Sequence, residues 1–283
     1  MIKRLGIVGS GIMGSGIAEV AAKAGIEVLL RSRKQETADA MVNALTKSLD
    51  KQVEKGKLDA AERDQTLSRV TGTHDLHALA ECDLVIESVV EDLDVKKELF
   101  RELDLAVKDE AILATNTSTL PVVDLAVVTE RPERVCGIHF FNPAPMMALV
   151  EIVRPLTASD ETIAAARAFA EICGKGPVEV KDRAGFIVNA LLFPYLNNAV
   201  RMLENGTATR DDIDAAMKGG CNFPMGPLAL LDLVGLDTSL AILDALYDEF
   251  RDANYAAVPT LRRMVAAGHL GRKSGQGFHD YRK

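Results

Sequence analysis

The chain has 283 residues, 48% of them hydrophobic, which allows one large or two ordinary domains with buried cores. A formal net charge of −8 argues against a nucleic-acid or anionic-membrane partner. The four cysteines, Cys82, Cys136, Cys173 and Cys221, form no Cys-x-x-Cys pair and no cluster at metal-ligand spacing, so reduced thiols and no metal site are expected.

Ile2 to Val8 is a short apolar run, entered without a secretory h-region. No apolar stretch reaches the length of a membrane span, so a cytoplasmic protein with no membrane partner is expected. The run ends in Gly9-Ser-Gly11-Ile12-Met13-Gly14, and a helical pattern from Ser15 to Ala24 follows, closed by Gly25. Strand, Gly-x-Gly-x-x-Gly, then helix is the setting of the dinucleotide fingerprint. The first glycine permits a tight turn, the second lets the backbone approach a pyrophosphate at the helix N-terminus, and the third lets the helix sit close on the strand. Gly9, Gly11, Ile12, Met13 and Gly14 are therefore candidate cofactor-binding residues.

A second strand, Ile26–Leu30, runs out into Arg31-Ser32-Arg33-Lys34, where an acidic residue for the adenosine ribose would usually stand. Serine and arginine donate hydrogen bonds and suit a 2′-phosphate, which a carboxylate would repel. Ser32 and Arg33 thus favour NADP(H). NAD(H) is the alternative if the turn is merely basic and solvated. Gln35 to Gly56 reads as an amphipathic helix with Met41, Leu45, Leu49 and Val53 on one face. Lys47, Lys51 and Lys55 share another face, with Lys57 just beyond. Such a row is either solvated or meets the phosphates of a bulky substrate.

After a polar helix, Ala60–Leu67, the alternation resumes with a strand at Leu84–Ser88, a helix at Asp94–Val107 and a strand at Ala111–Thr115. The strand ends deliver Glu87, Ser88, Glu91 and Asn116-Thr117-Ser118-Thr119. Ligands of an open parallel sheet bind beyond the carboxyl ends of its strands, so these groups are expected near the nicotinamide, where they can hold a substrate carbonyl or the cofactor carboxamide. Capping of the next helix is the competing reading, and it suits Thr119 best.

Val135–Phe141 and Leu149–Val153 read as two strands around a corner holding Pro143 and Pro145. They carry His139 and Glu151, one each. A carboxylate that accepts from one imidazole nitrogen leaves the other to take or give a proton. The competing reading is a satisfied core histidine beside a strand-edge glutamate. Asp160–Cys173 reads as a helix and Pro177–Lys181 as the last strand. From Gly185 strand runs disappear, and Phe186–Leu203, Asp211–Lys218, Leu236–Phe250 and Pro259–Ala267 read as helices. The expected fold class is α/β, with a Rossmann-type, mostly parallel dinucleotide domain over residues 1–184 and an all-helical domain over 185–283. The apolar first helix of the second domain suggests a subunit interface, hence a homodimer. Asn189, just past the hinge, could face a ligand cleft.

Together these blocks resemble the short-chain 3-hydroxyacyl-CoA dehydrogenases, most of all the bacterial 3-hydroxybutyryl-CoA dehydrogenases, over nearly the whole chain. The resemblance rests on Gly9–Gly16, Asp83–Glu87, Asn116–Leu120, His139–Pro145, Leu149–Glu151, Gly185–Asn189, Pro224–Leu228 and Gly271–Gly277. It implies hydride transfer between NAD(P)(H) and a short-chain 3-hydroxyacyl-CoA/3-oxoacyl-CoA pair, such as reduction of acetoacetyl-CoA to (S)-3-hydroxybutyryl-CoA. It implies His139 as general acid/base, oriented by Glu151, with Ser118 and Asn189 hydrogen-bonding the substrate and Asn142 supporting the site. Glu91 and Lys96 fall at the nicotinamide end, with Asn116 beside them, and Lys51 and Lys55 meet the coenzyme A phosphates. The chain departs from the family at Ser32, at Ala148 where lysine is common, and at Thr119. It also departs at His269 and His279, where aromatics are usual, and His279 is expected to pack at the surface. Two other readings stay open. One is a two-domain dehydrogenase of a free 3-hydroxyacid, which would use a lysine whose motif context Lys175 and Lys181 lack. The other is a dinucleotide-binding protein without turnover.

Overall fold

One sheet carries the first part of the chain in the computed structural model, which describes residues 2–282. Met1 and Lys283, the outer ends of the expected domain spans, lie outside the described residues. The strands are β1 (Arg4–Val8), β2 (Glu27–Arg31), β3 (Val70–Thr73), β4 (Leu84–Glu87), β5 (Ile112–Thr115), β6 (Val135–Phe140), β7 (Leu149–Arg154) and β8 (Gly176–Lys181). Their order is β3-β2-β1-β4-β5-β6-β7-β8, and every neighbouring pair is parallel except the antiparallel β6–β7. The fold class expected from the alternation is the one observed. The chain divides into two compact units, residues 1–182 and 183–283.

In the first unit α1 (Ile12–Lys23), α2 (Gln35–Glu54), α3 (Ala60–Ser68), α4 (Leu93–Ala106), α5 (Val122–Ala126) and α6 (Asp160–Ile172) connect the strands. With helices over the sheet, β4 and β5 are buried at every position, which explains their unbroken apolar runs. Strand order reverses between β1 and β4, the switch point where a crevice opens in such sheets. Local chemistry sets the helix starts. Asp92 accepts from the Val95 amide at 3.0 Å and so begins α4, which places Lys96 in its first turn. Thr119 does not cap the next helix. The Asp182 carboxylate accepts from the Val122 and Val123 amides at 3.0 and 2.7 Å and starts α5 instead.

The second unit holds α7 (Val188–Glu204), α8 (Arg210–Cys221), α9 (Pro227–Val234), α10 (Leu236–Phe250) and α11 (Pro259–Ala266) around a core that includes Phe193, Leu196, Leu228, Leu231, Leu243 and Leu246. Asp214 on α8 accepts from the Leu228 and Ala229 amides at 2.8 and 3.1 Å, satisfying orphan donors at the start of α9. His279 is more than surface packing. Its Nε2 lies 2.9 Å from Asp214, and the Phe278 and His279 amides each donate to Asp232 at 2.8 Å, tying the C-terminal segment to α8 and α9.

Candidate active site

At the crevice, the loop after β1 runs against the end of β4. Gly9 sits at φ +139°, and a Cβ there would fall 2.1 Å from the Ser88 carbonyl oxygen, so only glycine is accommodated. A Cβ on Gly11, by contrast, would meet nothing within 4 Å, which leaves open room at the helix start. Ile12, Met13 and Gly14 form the first turn of α1, where no side chain caps the amides and Ile12 is 79% exposed. Uncapped amides with the positive end of a helix dipole suit an anion, so this cradle fits a dinucleotide pyrophosphate. Beyond β2, the Ser32 amide donates to the Thr73 carbonyl at 3.0 Å and the residue is buried, while Arg33 is exposed. The nearest following carboxylate is Glu36, in the first turn of α2.

His139 and Glu151 are direct partners in the β6–β7 ladder, and an antiparallel pairing puts opposite residues on one face of the sheet. The His139 Nδ1 lies 2.7 Å from Glu151 Oε2, and its Nε2 lies 3.2 Å from Ser118 Oγ. Glu151 is 0% exposed and His139 4%, with the Phe141 ring 4.5 Å from the imidazole. An acceptor at Nδ1 selects the tautomer and directs proton exchange to Nε2, the Ser118 side. The Asn116 Oδ1 accepts from the Phe140 amide at 2.8 Å, joining the end of β5 to β6 beside His139. That bond uses its carbonyl oxygen and not its amide nitrogen.

A buried ionic network backs Ser118. Lys96 is 1% exposed, its Nζ 2.6 Å from Glu87 and 3.4 Å from Glu91. Glu87 also accepts from the Val89 amide at 2.6 Å and the Thr115 hydroxyl at 2.8 Å. Glu91 accepts from the Ser118 amide at 3.0 Å and from the Thr117 hydroxyl. Because the Glu91 side chain is 40% exposed, Glu91 is the member a ligand can reach, and Lys96 is enclosed between the two carboxylates. The sequence placed Glu87 at a strand end but carried no signal that its charge is met by Lys96.

A groove of about 460 Å³ runs from Ser10–Ile12 along α1 and α2 to Pro143–Pro145. Thr37, Ala40, Ala44 and Ser48 of α2 line it. These residues were missed, although small residues spaced three and four apart between the buried face and the lysine row were the available signal. Glu19 is the one charged residue in the lining, and it accepts from Lys23 at 2.7 Å and Gln52 at 2.8 Å. Lys51 and Lys55 are exposed on α2 and its C-cap and do not line the groove. Asn142 is exposed in the β6–β7 corner. Asn189, in the second unit, lies in the first turn of α7 and is 9% exposed. Among the described residues no group of three or more His, Cys, Asp or Glu is arranged to hold a metal ion.

Comparison with known proteins gives this geometry a family. Residues 4–183 match the 3-hydroxyacyl-CoA dehydrogenase NAD binding domain, and residues 185–281 match the 3-hydroxyacyl-CoA dehydrogenase C-terminal domain. The chain is 50% identical over 282 residues to a 3-hydroxybutyryl-CoA dehydrogenase of Mycobacterium tuberculosis, with 99% of each chain covered. It is 46% identical over 280 residues to the 3-hydroxybutyryl-CoA dehydrogenase of Clostridioides difficile, covering 99% of this chain and 100% of that one. The crystal structure of the (S)-3-hydroxybutyryl-CoA dehydrogenase of Ralstonia eutropha matches with a TM-score of 0.97 at 43% identity, over 100% of both chains. With both of its domains matched and relatives aligned end to end, the chain belongs to the 3-hydroxyacyl-CoA dehydrogenase family.

Proposed function

We propose that the protein is a 3-hydroxybutyryl-CoA dehydrogenase that reduces acetoacetyl-CoA to (S)-3-hydroxybutyryl-CoA and runs the reverse oxidation. The observation that carries this reading is the His139–Glu151 pair, buried and bonded at 2.7 Å, with Nε2 directed to Ser118 at the carboxyl ends of the strands. A nicotinamide dinucleotide held on the Gly9–Gly14 cradle supplies the hydride or accepts it. In reduction the imidazolium of His139 gives a proton from Nε2 to the oxygen on C3, and in oxidation Nε2 takes it from the 3-hydroxyl. Glu151 keeps the ring oriented and offsets the imidazolium charge. Ser118 hydrogen-bonds the same oxygen, and family resemblance adds Asn189 and Asn142 as substrate-supporting groups. Glu91 faces the nicotinamide end, Lys96 acts by holding Glu91, and Asn116 offers its amide nitrogen there.

The mainly apolar groove along α2 suits the pantetheine arm of the thioester, and the exposed Lys51 and Lys55 suit the coenzyme A phosphates. NADP(H) is the favoured cofactor, because Arg33 is exposed at the end of β2 and no carboxylate stands at Ser32; NAD(H) is the alternative. A homodimer formed through the second unit is supported by exposed apolar residues on and beside α7 and α8, Leu191 at 72%, Met202 at 45% and Phe223 at 43%. The proposed setting is the cytoplasm; separately, among the described residues no helix is long and apolar enough to cross a membrane.

The test is initial rate with acetoacetyl-CoA, NADPH and NADH titrated side by side, with free acetoacetate as the control. Turnover of the thioester alone supports the proposal. Equal turnover of the free acid moves the protein to the free-acid dehydrogenases, and dinucleotide binding with no turnover makes it a binding protein.

A further inference from the structure

The β6–β7 corner, residues 142–148, has no regular secondary structure, yet Pro143, Ala144 and Pro145 form one wall of the groove. It is held from two sides. On the α1 side it closes on Gly16, where a Cβ would stand 3.1 Å from Ala144 Cβ and 3.4 Å from Pro145 Cδ. On the other side stands Lys175, in the turn between α6 and β8. Its Nζ donates to the carbonyl oxygens of Ala144 at 2.7 Å, Met147 at 2.8 Å and Pro145 at 3.4 Å. An ammonium has three donors and no acceptor, so its whole hydrogen-bonding capacity is directed at this one corner. Two turn bonds, from the Met146 and Met147 amides to the Pro143 carbonyl at 3.0 and 3.1 Å, hold the corner to itself. Lys175 ties it to the rest of the sheet, and bonds from a cation to carbonyls are stronger than neutral ones. The Gly176 amide adds a bond to the Ala148 carbonyl at 2.7 Å where the corner enters β7.

We propose that Lys175 is a positioning residue for substrate binding, which holds the Ala144–Met147 backbone against α1 and so sets the width of the groove that receives the thioester's pantetheine arm. The inference deepens the function proposed above and rests on it. Lys175 acts through the corner and not on the reacting atoms. His139 is held separately, by Glu151 on the neighbouring strand, so loss of the ammonium loosens binding and leaves the chemical step in place.

Lys175→Met keeps the aliphatic stem and removes the ammonium. KM for acetoacetyl-CoA should rise about tenfold or more, equivalent to about 1.4 kcal/mol, while kcat and the dinucleotide Kd stay within about twofold. Lys175→Cys alkylated with 2-bromoethylamine regains an ammonium on a stem of equal length and should recover most of the lost KM, with identically treated wild-type protein as control. Hydrogen exchange of the Ala144, Met146, Met147 and Ala148 amides, measured without substrate, should be faster in Lys175→Met. If that variant does not fold, Lys175→Gln is read by the same KM-against-kcat split. An unchanged KM, or a lower Tm with kcat and KM altered together and no recovery on aminoethylation, overturns the proposal. Failure of wild-type protein to turn over acetoacetyl-CoA would instead strike the proposed function, and the exchange rates would still report whether Lys175 holds the corner.

Discussion

Glu151 meets His139 across a single rung of the β6–β7 ladder, at 2.7 Å and with 0% of the glutamate exposed. A register slip of one residue would send the two side chains to opposite faces, so the pairing of the strands is also the assembly of the site. His139→Ala should lower kcat by about 10²–10⁴, the usual worth of a positioned acid/base. Glu151→Gln keeps an oxygen that can accept from Nδ1 and loses only the charge, so its kcat should fall less. The double variant should be no slower than His139→Ala alone, because Glu151 works only through the imidazole. Additive losses in single-turnover rates would give Glu151 a separate task.

The Glu87–Lys96 pair makes a different prediction, on stability. Removing one member of a buried pair strands the other charge, at a cost of about 3–5 kcal/mol, whereas replacing both with apolar or neutral groups of like size costs far less. Lys96→Met should therefore lower the denaturation midpoint strongly, and Glu87→Gln combined with Lys96→Met should recover most of the loss. Dinucleotide affinity should stay weakened in the double variant, because Glu91 then lacks its 3.4 Å tie to the ammonium. Equilibrium unfolding together with dinucleotide titration checks both halves.

Ser32 tests the cofactor proposal. A carboxylate at the end of β2 accepts from ribose hydroxyls and repels a 2′-phosphate. Ser32→Asp should shift the ratio of kcat/KM for NADPH over NADH at least tenfold toward NADH, about 1.4 kcal/mol of discrimination. Arg33→Ala should move it the same way with less gain for NADH. A ratio that does not respond to either change would leave the exposed turn as plain solvated surface.

Much of this architecture could be read from the chain because its signals are local. The glycine loop after β1, the apolar runs of β4 and β5 and the helical punctuation beyond Gly185 each show in a short window. β3 could not be read, since Val70-Thr-Gly-Thr73 carries one buried apolar residue and becomes a strand only by pairing with β2. α9 does not show in the sequence because a proline interrupts the helical pattern there, yet Pro227 occupies the first helical position, where its missing amide costs nothing. The histidine and glutamate of the site stood out as the only strongly basic and acidic side chains of their stretch. The partners of Lys96 and His279 were not legible, for one shared reason. Each is defined by a carboxylate brought to it through tertiary folding, Glu87 from a strand end and Asp214 from sixty-five positions away.

Asp83 joins three segments that the sequence does not connect. Its carboxylate accepts from the Lys3 amide at 2.7 Å, the Arg4 amide at 3.0 Å and the Lys108 ammonium at 2.7 Å, tying the start of β1 to β4 and to the turn before β5. Burial pushes this carboxyl upward, but the Lys108 bond and the two amides outweigh it and hold it below its ordinary value. A carboxyl depressed in the folded protein stabilises the fold above its unfolded value of about 3.9 and loses that contribution as pH falls through the lower folded value. Asp83→Asn should therefore be less stable than wild type at neutral pH, by about 1–2 kcal/mol for weakened bonds to a half-exposed group. The gap should narrow only below about pH 4, where the wild-type carboxyl begins to take up its proton. Urea unfolding of the two proteins between neutral and acid pH measures the gap directly. A gap that stays constant to the acid limit would mean that the amide bonds alone, and not the charge facing Lys108, hold β1 in place.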